Sequence, residues 1–297
     1  MIPLALFLLA ASPPALAGSN PPALAGTGHP ASAGTGKSPV AVAGPKPAPV
    51  PSAYSIEARV IANFTRDQLA NWRYRHTEKV TIVKNGRRES RTVRIRYIGG
   101  HADARVLAVG GRGPLQPWEI AAQRRAAARR ARALARRPPA HAGGFLFRHH
   151  WYSFQRLAGD FLYGPGVKRQ WHGRLLWVYP LSPNPAVRDR TVEEKILLYS
   201  RGSIWIDARS LHIARIRLAT FAPVHYWLGL LATVRSAGLD FRLHPRSAAL
   251  WLPAYVHFYV HSRILVFKHF SETKTQRFSD YARASPVTLP AASPAVP

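Results

Sequence analysis

Apolar and polar residues alternate through much of the chain between residues 57 and 282. Val93, Ile95 and Tyr97 alternate with Arg94 and Arg96; Ala214, Ile216 and Leu218 with Arg215 and Arg217; Val256, Phe258 and Val260 with His257, Tyr259 and His261. A period of two sends successive side chains to opposite faces, so each segment reads as a strand with one apolar and one wetted face. The same reading predicts strands at 78–84, 145–155, 171–179, 196–206, 239–244 and 263–270. Asn85-Gly86, between Thr81-Ile82-Val83 and a strand at 91–98, has the composition of a two-residue hairpin turn. No helix of 10–15 residues regularly separates successive strands, so the sheet is expected to be antiparallel rather than doubly wound.

Three segments depart from the alternation. A short helix is predicted over 67–75, entered through Thr65, because Thr65-Arg66-Asp67-Gln68 has the order of a capping box. A long one is predicted over 118–137: Pro117 precedes it, Glu119 lies in its first turn, Arg136 and Arg137 in its last, and Pro138-Pro139 stops it. At 1.5 Å per residue it would be about 30 Å long. Segment 223–237, with Tyr226, Trp227, Leu228, Leu230, Leu231 and Val234, fits either a helix or an apolar loop over one end of the sheet.

The ends read differently. Residues 1–17 have the apolar run and the small-x-small close, Ala15-Leu16-Ala17, of a signal peptide cleaved near Ala17, although no Lys or Arg precedes Lys37. Export, to the periplasm or beyond, is the expectation. A second copy of Pro-Pro-Ala-Leu-Ala-Gly makes Ala23-Leu24-Ala25 an equal cleavage site. Residues 18–53, built of Pro, Ala, Gly, Ser and Thr, lack the large apolar groups that offset ordering entropy and read as a disordered linker. One folded domain is expected over 54–283, and a disordered tail over 284–297.

Composition narrows the chemistry. The 297 residues contain no cysteine, which excludes disulfides, thiol nucleophiles, iron–sulfur clusters and cysteine-ligated zinc. Lys and Arg outnumber Asp and Glu by 42 to 14, a net charge of +28, so anionic partners are attracted. The arginines concentrate on the helix at 118–137, where Arg124, Arg125, Arg129, Arg132 and Arg136 surround a thin stripe of Ile120, Ala127, Ala131 and Leu134. That stripe is too weak to insert deeply into a bilayer. The helix reads first as a solvated surface element, then as a contact for anionic lipid or polysaccharide headgroups. Nucleic acid is disfavoured by export and by the absence of any recognised binding motif.

No catalytic residue and no cofactor or metal is expected. His257 and His261 share a strand face but stand roughly 13 Å apart at about 3.3 Å per residue, too far for one zinc bound at about 2.0 Å. No Gly-x-Ser-x-Gly elbow occurs, and Glu193-Glu194 is the only adjacent acidic pair. Asp207, after Ile204-Trp205-Ile206, suits a turn residue that caps its own backbone.

At Arg201-Gly202-Ser203-Ile204-Trp205-Ile206-Asp207 the chain resembles the outer membrane lipoprotein-sorting superfamily, the periplasmic carriers of LolA and LolB type. The resemblance continues in order through Tyr74-Arg75-His76-Thr77-Glu78, the helix at 118–137, 145–154, 214–218, Leu239-Asp240-Phe241, Leu250-Trp251-Leu252-Pro253 and Phe278-Ser279-Asp280-Tyr281. It implies a mainly β, α+β fold: a strongly curved antiparallel half-barrel covered by helices, whose concave face binds lipid or lipoprotein acyl chains without catalysis. On that reading Trp205, Tyr226, Leu228, Leu231, Trp251 and Phe258 are candidates for the apolar lining. The same fold with a filled core would instead recognise another envelope protein. The Arg-rich helix is where this sequence departs from the carriers.

Overall fold

Ser52 begins the first element. Its hydroxyl accepts from the Ser55 N–H at 3.2 Å, and helix α1, Ala53–Asn71, follows with Ala53, Ile56 and Val60 buried along one side. The computed structural model describes residues 49–138, 144–147, 150–188, 192–226, 232–264 and 268–284. The chain divides into two units, Met1–Pro49 and Val50–Pro297, and from Val50 onward the described residues belong to the second. The expected signal peptide, nearly all of the linker and all but Ala284 of the tail lie outside the described residues.

After α1 come β1 (Tyr74–Lys84), β2 (Arg87–Ile98), β3 (His101–Val109), β4 (Gly113–Pro114) and helix α2 (Pro117–Ala135). A separate hairpin of β5 (Gly144–Phe147) and β6 (His150–Ser153) leads into α3 (Phe154–Gly159). Then follow β7 (Phe161–Tyr163), β8 (Val167–Trp171), β9 (Arg174–Pro183), α4 (Val192–Leu198), β10 (Ser200–Asp207), β11 (Ile213–Thr220) and β12 (Val224–Tyr226). Three long strands, β13 (Ala232–Ser247), β14 (Leu250–Ile264) and β15 (Lys268–Arg283), complete the described chain.

All strands except β5 and β6 form one sheet in the order β4-β3-β2-β1-β15-β14-β13-β11-β10-β9-β7, with β12 added on β13 and β8 on β9. Every pairing is antiparallel. Strands β9 and β14 are separated by three others, which in a flat sheet means about 19 Å at about 4.8 Å per strand. Yet the Arg174 guanidinium on β9 lies 5.1 Å from the Trp251 ring on β14. The sheet is therefore strongly curved, and with β4 and β7 at its two ends it does not close.

The register fixes one inner face, the face turned to α1. Ile204 stands opposite Ile216, Ile216 opposite Phe241, and Phe241 opposite Val256; Leu218, Leu239 and Phe258 form the next row. Tyr179, Ile204, Ile206, Ile216, Leu218 and Leu243 join Ile56 and Val60 of α1 and Trp251 in the main core. At the far end of the sheet, α2 guards the β3 edge. The Gln123 side chain accepts from the Val106 N–H at 3.0 Å and donates to the Val106 carbonyl at 3.3 Å, occupying backbone groups that would otherwise invite another strand.

Several local expectations need correction. The first helix begins at Ala53 rather than 67, because Ala53, Ile56, Val60 and Phe64 already supply a helical stripe; Thr65 lies inside it and donates to the Ile61 carbonyl at 3.0 Å. The strand expected at 171–179 is a hairpin turned at His172-Gly173, with φ of 48° and 73°. Segment 145–155 is β5, β6 and the start of α3; segment 196–206 starts inside α4, where Glu193, Glu194, Lys195, Leu197 and Leu198 are good helix formers. Segment 223–237 contains β12 and the start of β13 rather than a helix, and 227–231 lies outside the described residues. The segment at 263–270 spans the end of β14 and the beginning of β15.

Candidate functional site

The inner face changes character along the sheet. Under α1 it is closed: Trp251, Tyr179 and Leu176 are fully buried. In the middle of the sheet Leu239 and Phe241, which pack against the rim of the main core, and Val256 and Phe258 are only half-buried, as is Ile82 of β1. Interior strands have neighbours on both sides, so their exposure comes from a face that is only partly covered.

That apolar strip is bounded by polar groups. Glu272, Lys274 and Gln276 of β15 share the inner face, opposite Lys84, Ile82 and Val80 of β1. Burial pushes the Glu272 carboxyl up and the Lys274 ammonium down from their ordinary values, while neighbouring opposite charges partly restrain both. Gln276 donates to Glu78 at 3.2 Å, and the Glu78 carboxylate also lies 3.1 Å from Nε2 of buried His76. Rings of Tyr97, Phe278 and Tyr281 surround that imidazole at 6.0, 5.7 and 5.0 Å. Burial, with the Glu78 charge adding to it, pushes the Tyr97 hydroxyl up to about 12. Sequence reasoning missed this row because Ser271 to Gln276 is polar on both strand faces, which leaves no apolar stripe to follow.

The residues expected to line a ligand site are dispersed. Tyr226 and Phe258 pack together with Val224, Val234, Ala237 and Val260 in a small second cluster. Trp251 sits in the main core, its ring stacked 5.9 Å from His212. Trp205 lies on the outer face, since its partners in register are Val178 and Arg215 while Ile204 and Ile206 point inward. Leu228 and Leu231 lie outside the described residues.

Trp205 belongs to a strip of aromatic rings and arginines crossing the outer face. Its ring meets Trp171 edge-on at 6.0 Å and receives the Arg215 guanidinium at 5.4 Å. Arg215 grips Asp240 through two bonds of 2.8 and 2.7 Å, Arg242 reaches the same carboxylate at 2.6 Å, and Arg242 stacks on Tyr255 at 4.7 Å. Burial raises the Asp240 carboxyl, but bonds from Arg242 and Arg215 outweigh it and bring it down to about 2. Tyr255, His257, Tyr259 and His261 continue the strip along β14, with neighbouring rings 5.9–6.3 Å apart. His257 and His261 meet Thr275 and Ser271 hydroxyls, and no group of three metal-ligating side chains occurs among the described residues.

The arginines of α2 lie where a solvated helix would put them. Arg124, Arg125, Arg129, Arg132 and Arg136 are exposed, while Ala131 is buried and Ile120, Ala127 and Leu134 are half-buried. Arg130, off that group, is tied to Asp103 at 3.3 Å. Trp118, in the first turn, is 69% exposed. Asp207 acts as the turn residue its position suggests. Its Oδ1 accepts from the Ser210 N–H at 2.8 Å, the Ser210 hydroxyl at 2.7 Å and the Arg209 N–H at 3.2 Å, and its Oδ2 from Arg174 at 2.7 Å. Burial raises this carboxyl, but those bonds prevail and hold it below its ordinary value.

No family model and no curated protein matches the chain. Among solved structures it is similar to a domain named for outer membrane lipoprotein sorting from Vibrio parahaemolyticus, with 10% identity, a TM-score of 0.34 and coverage of 77% of this chain and 94% of the other. It is similar also to a LolA superfamily protein from Nitrosomonas europaea, with 10% identity, a TM-score of 0.32 and coverage of 77% and 93%. A third similar structure is the complex of MucA and MucB from Pseudomonas aeruginosa, with 11% identity, a TM-score of 0.25 and coverage of 74% and 94%.

Proposed function

We propose that this chain is a non-catalytic binding protein of the cell envelope, and that its ligand is hydrophobic: the acyl chains of a lipid or lipoprotein, laid on the inner face beyond α1. One observation carries the reading. Phe241, Val256 and Phe258 sit on interior strands yet remain half-buried, while the same face under α1 is packed shut. An acyl chain would remove this strip from water, gaining about 25 cal/mol per Å² of apolar area. Tyr226 and Phe258, with Leu228 and Leu231, are proposed as ligand contacts.

Titration of the purified protein with a fluorescent fatty acid tests this. Wild-type protein should bind it saturably, and Phe258→Glu should weaken binding at least tenfold with an unchanged circular dichroism spectrum. Equal binding by the two proteins would overturn the placement.

A second reading, recognition of another envelope protein, is favoured by the outer face. Trp171, Trp205, Arg215, Arg242 and Tyr255 form a connected strip of the residue types that dominate protein interfaces. Under it the inner core acts as scaffold, and Tyr255→Ala would abolish partner capture while Phe258→Glu would not. The exposed arginines of α2 are proposed as a contact with anionic headgroups at the membrane surface in either case.

A further inference from the structure

A cavity of about 690 Å³ opens at the end of the sheet, away from the apolar strip and from α2, between α1, the β10–β11 turn and the β13–β14 turn. Four arginines line it: Arg59 and Arg66 from α1, Arg174 from β9 and Arg209 from the turn. Arg59, Ala62, Asn63 and Arg66 follow the i, i+3, i+4, i+7 spacing of one helix face, so α1 presents its apolar side to the core and this cationic side to the cavity.

The charge is only partly compensated. Arg174 is tied to Asp207 at 2.7 Å, and Arg66 to the Asn63 side-chain oxygen at 2.8 Å. No acidic partner reaches Arg59 or Arg209 among the described residues, and neither Asp207 nor Asp67 is part of the lining. The cavity wall also contains His212, which is 2% exposed. Its Nε2 lies 3.4 Å from Asp67, whereas its Nδ1 is buried without a hydrogen-bond partner. A buried polar atom left without a partner is destabilising.

From this cluster we infer a binding site for a phosphate-bearing ligand. A carboxylate offers one charge and two oxygens, whereas a phosphate monoester carries up to two charges and three free oxygens, so it matches a larger cluster of arginines. The volume matches a small organic molecule rather than a bare ion. The phosphate sits among Arg59, Arg66 and Arg209, and the rest of the ligand lies toward Ser247 and the β13–β14 turn. This site goes beyond the apolar-face reading and stands independently of it.

Calorimetric titration at fixed ionic strength tests the inference with two probes: glycerol 1-phosphate, and phosphatidylcholine vesicles containing phosphatidic acid. At least one should bind with a defined stoichiometry. Arg59→Gln/Arg209→Gln, which breaks no ion pair among the described residues, should reduce that affinity at least tenfold with an unchanged unfolding midpoint, and His212→Asn should reduce it as well. The control variant Arg87→Gln/Arg88→Gln, at two exposed positions of β2 outside the cavity, should bind as wild type. Binding of the free ester marks a soluble phosphorylated ligand; binding of vesicles alone, lost in the Arg59/Arg209 variant, marks a lipid headgroup. Failure of both probes, or an equal loss in the Arg87/Arg88 variant, would overturn the site. Phe258→Glu should leave phosphate binding intact, so failure of the fatty-acid reading and failure of this one are separate results.

Discussion

Asp240 holds the outer face together through charge. It joins Arg215 of β11 to Arg242 of β13, and without it two guanidinium groups would face each other. Its carboxyl falls from 3.8 to about 2 on folding, so its contribution is present above about pH 4 and is lost as pH falls through about 2. Solvent screening limits the contribution to about 1 kcal/mol. Urea unfolding from pH 7 to pH 2 should therefore show a steeper acid loss for wild type than for Asp240→Asn, which should already be destabilised at pH 7. Gly238 makes a steric demand instead. The Tyr259 ring of the neighbouring strand covers it so closely that a Cβ would collide with the ring edge. Gly238→Ala should cost about 1–3 kcal/mol, and Tyr259→Ala should recover part of that loss in a double-mutant cycle.

Helix α1 organises the closed half of the inner face. Ile56 and Val60 are its buried contacts, and Ile56→Ala should cost about 2–5 kcal/mol in equilibrium unfolding. Ser52→Ala should cost about 1 kcal/mol through the lost N-cap. The two long helices differ in how legible they were. Pro117, Glu119 and the closing prolines announce α2 almost to the residue. The start of α1 is hidden, because Ala53 follows directly on the Pro, Ala and Gly segment and the Ile56 and Val60 stripe emerges only a turn later. Strand faces were legible wherever alternation was strict, as in β2, β11 and β14. They were misread where a turn such as His172-Gly173 sits inside an apolar run, or where α4 is only one or two turns long. The hairpin at Asn85-Gly86 was fully legible, both residues having positive φ, 48° and 81°.

Across the whole molecule, the curvature of the sheet was implied by resemblance and is visible in the meeting of β9 with β14. The candidate site was less legible than the fold. Which face a strand residue takes can be counted along a sequence, but which part of that face a helix covers depends on contacts between residues more than a hundred positions apart, such as Asn63 with Leu211. Trp205 shows the difference: its apolar character suggested a ligand lining, and the register turns it outward. The cationic cavity escaped for the same reason, its arginines coming from three separate segments, α1, β9 and the β10–β11 turn.

Native mass spectrometry of the intact protein, purified without detergent from the expressing cells, tests the central claim most directly. The account predicts a population carrying one bound lipid, released by organic extraction and absent from Phe258→Glu. A single lipid-free species in the wild type, with no uptake after incubation with fatty acid, would contradict an acyl-binding inner face.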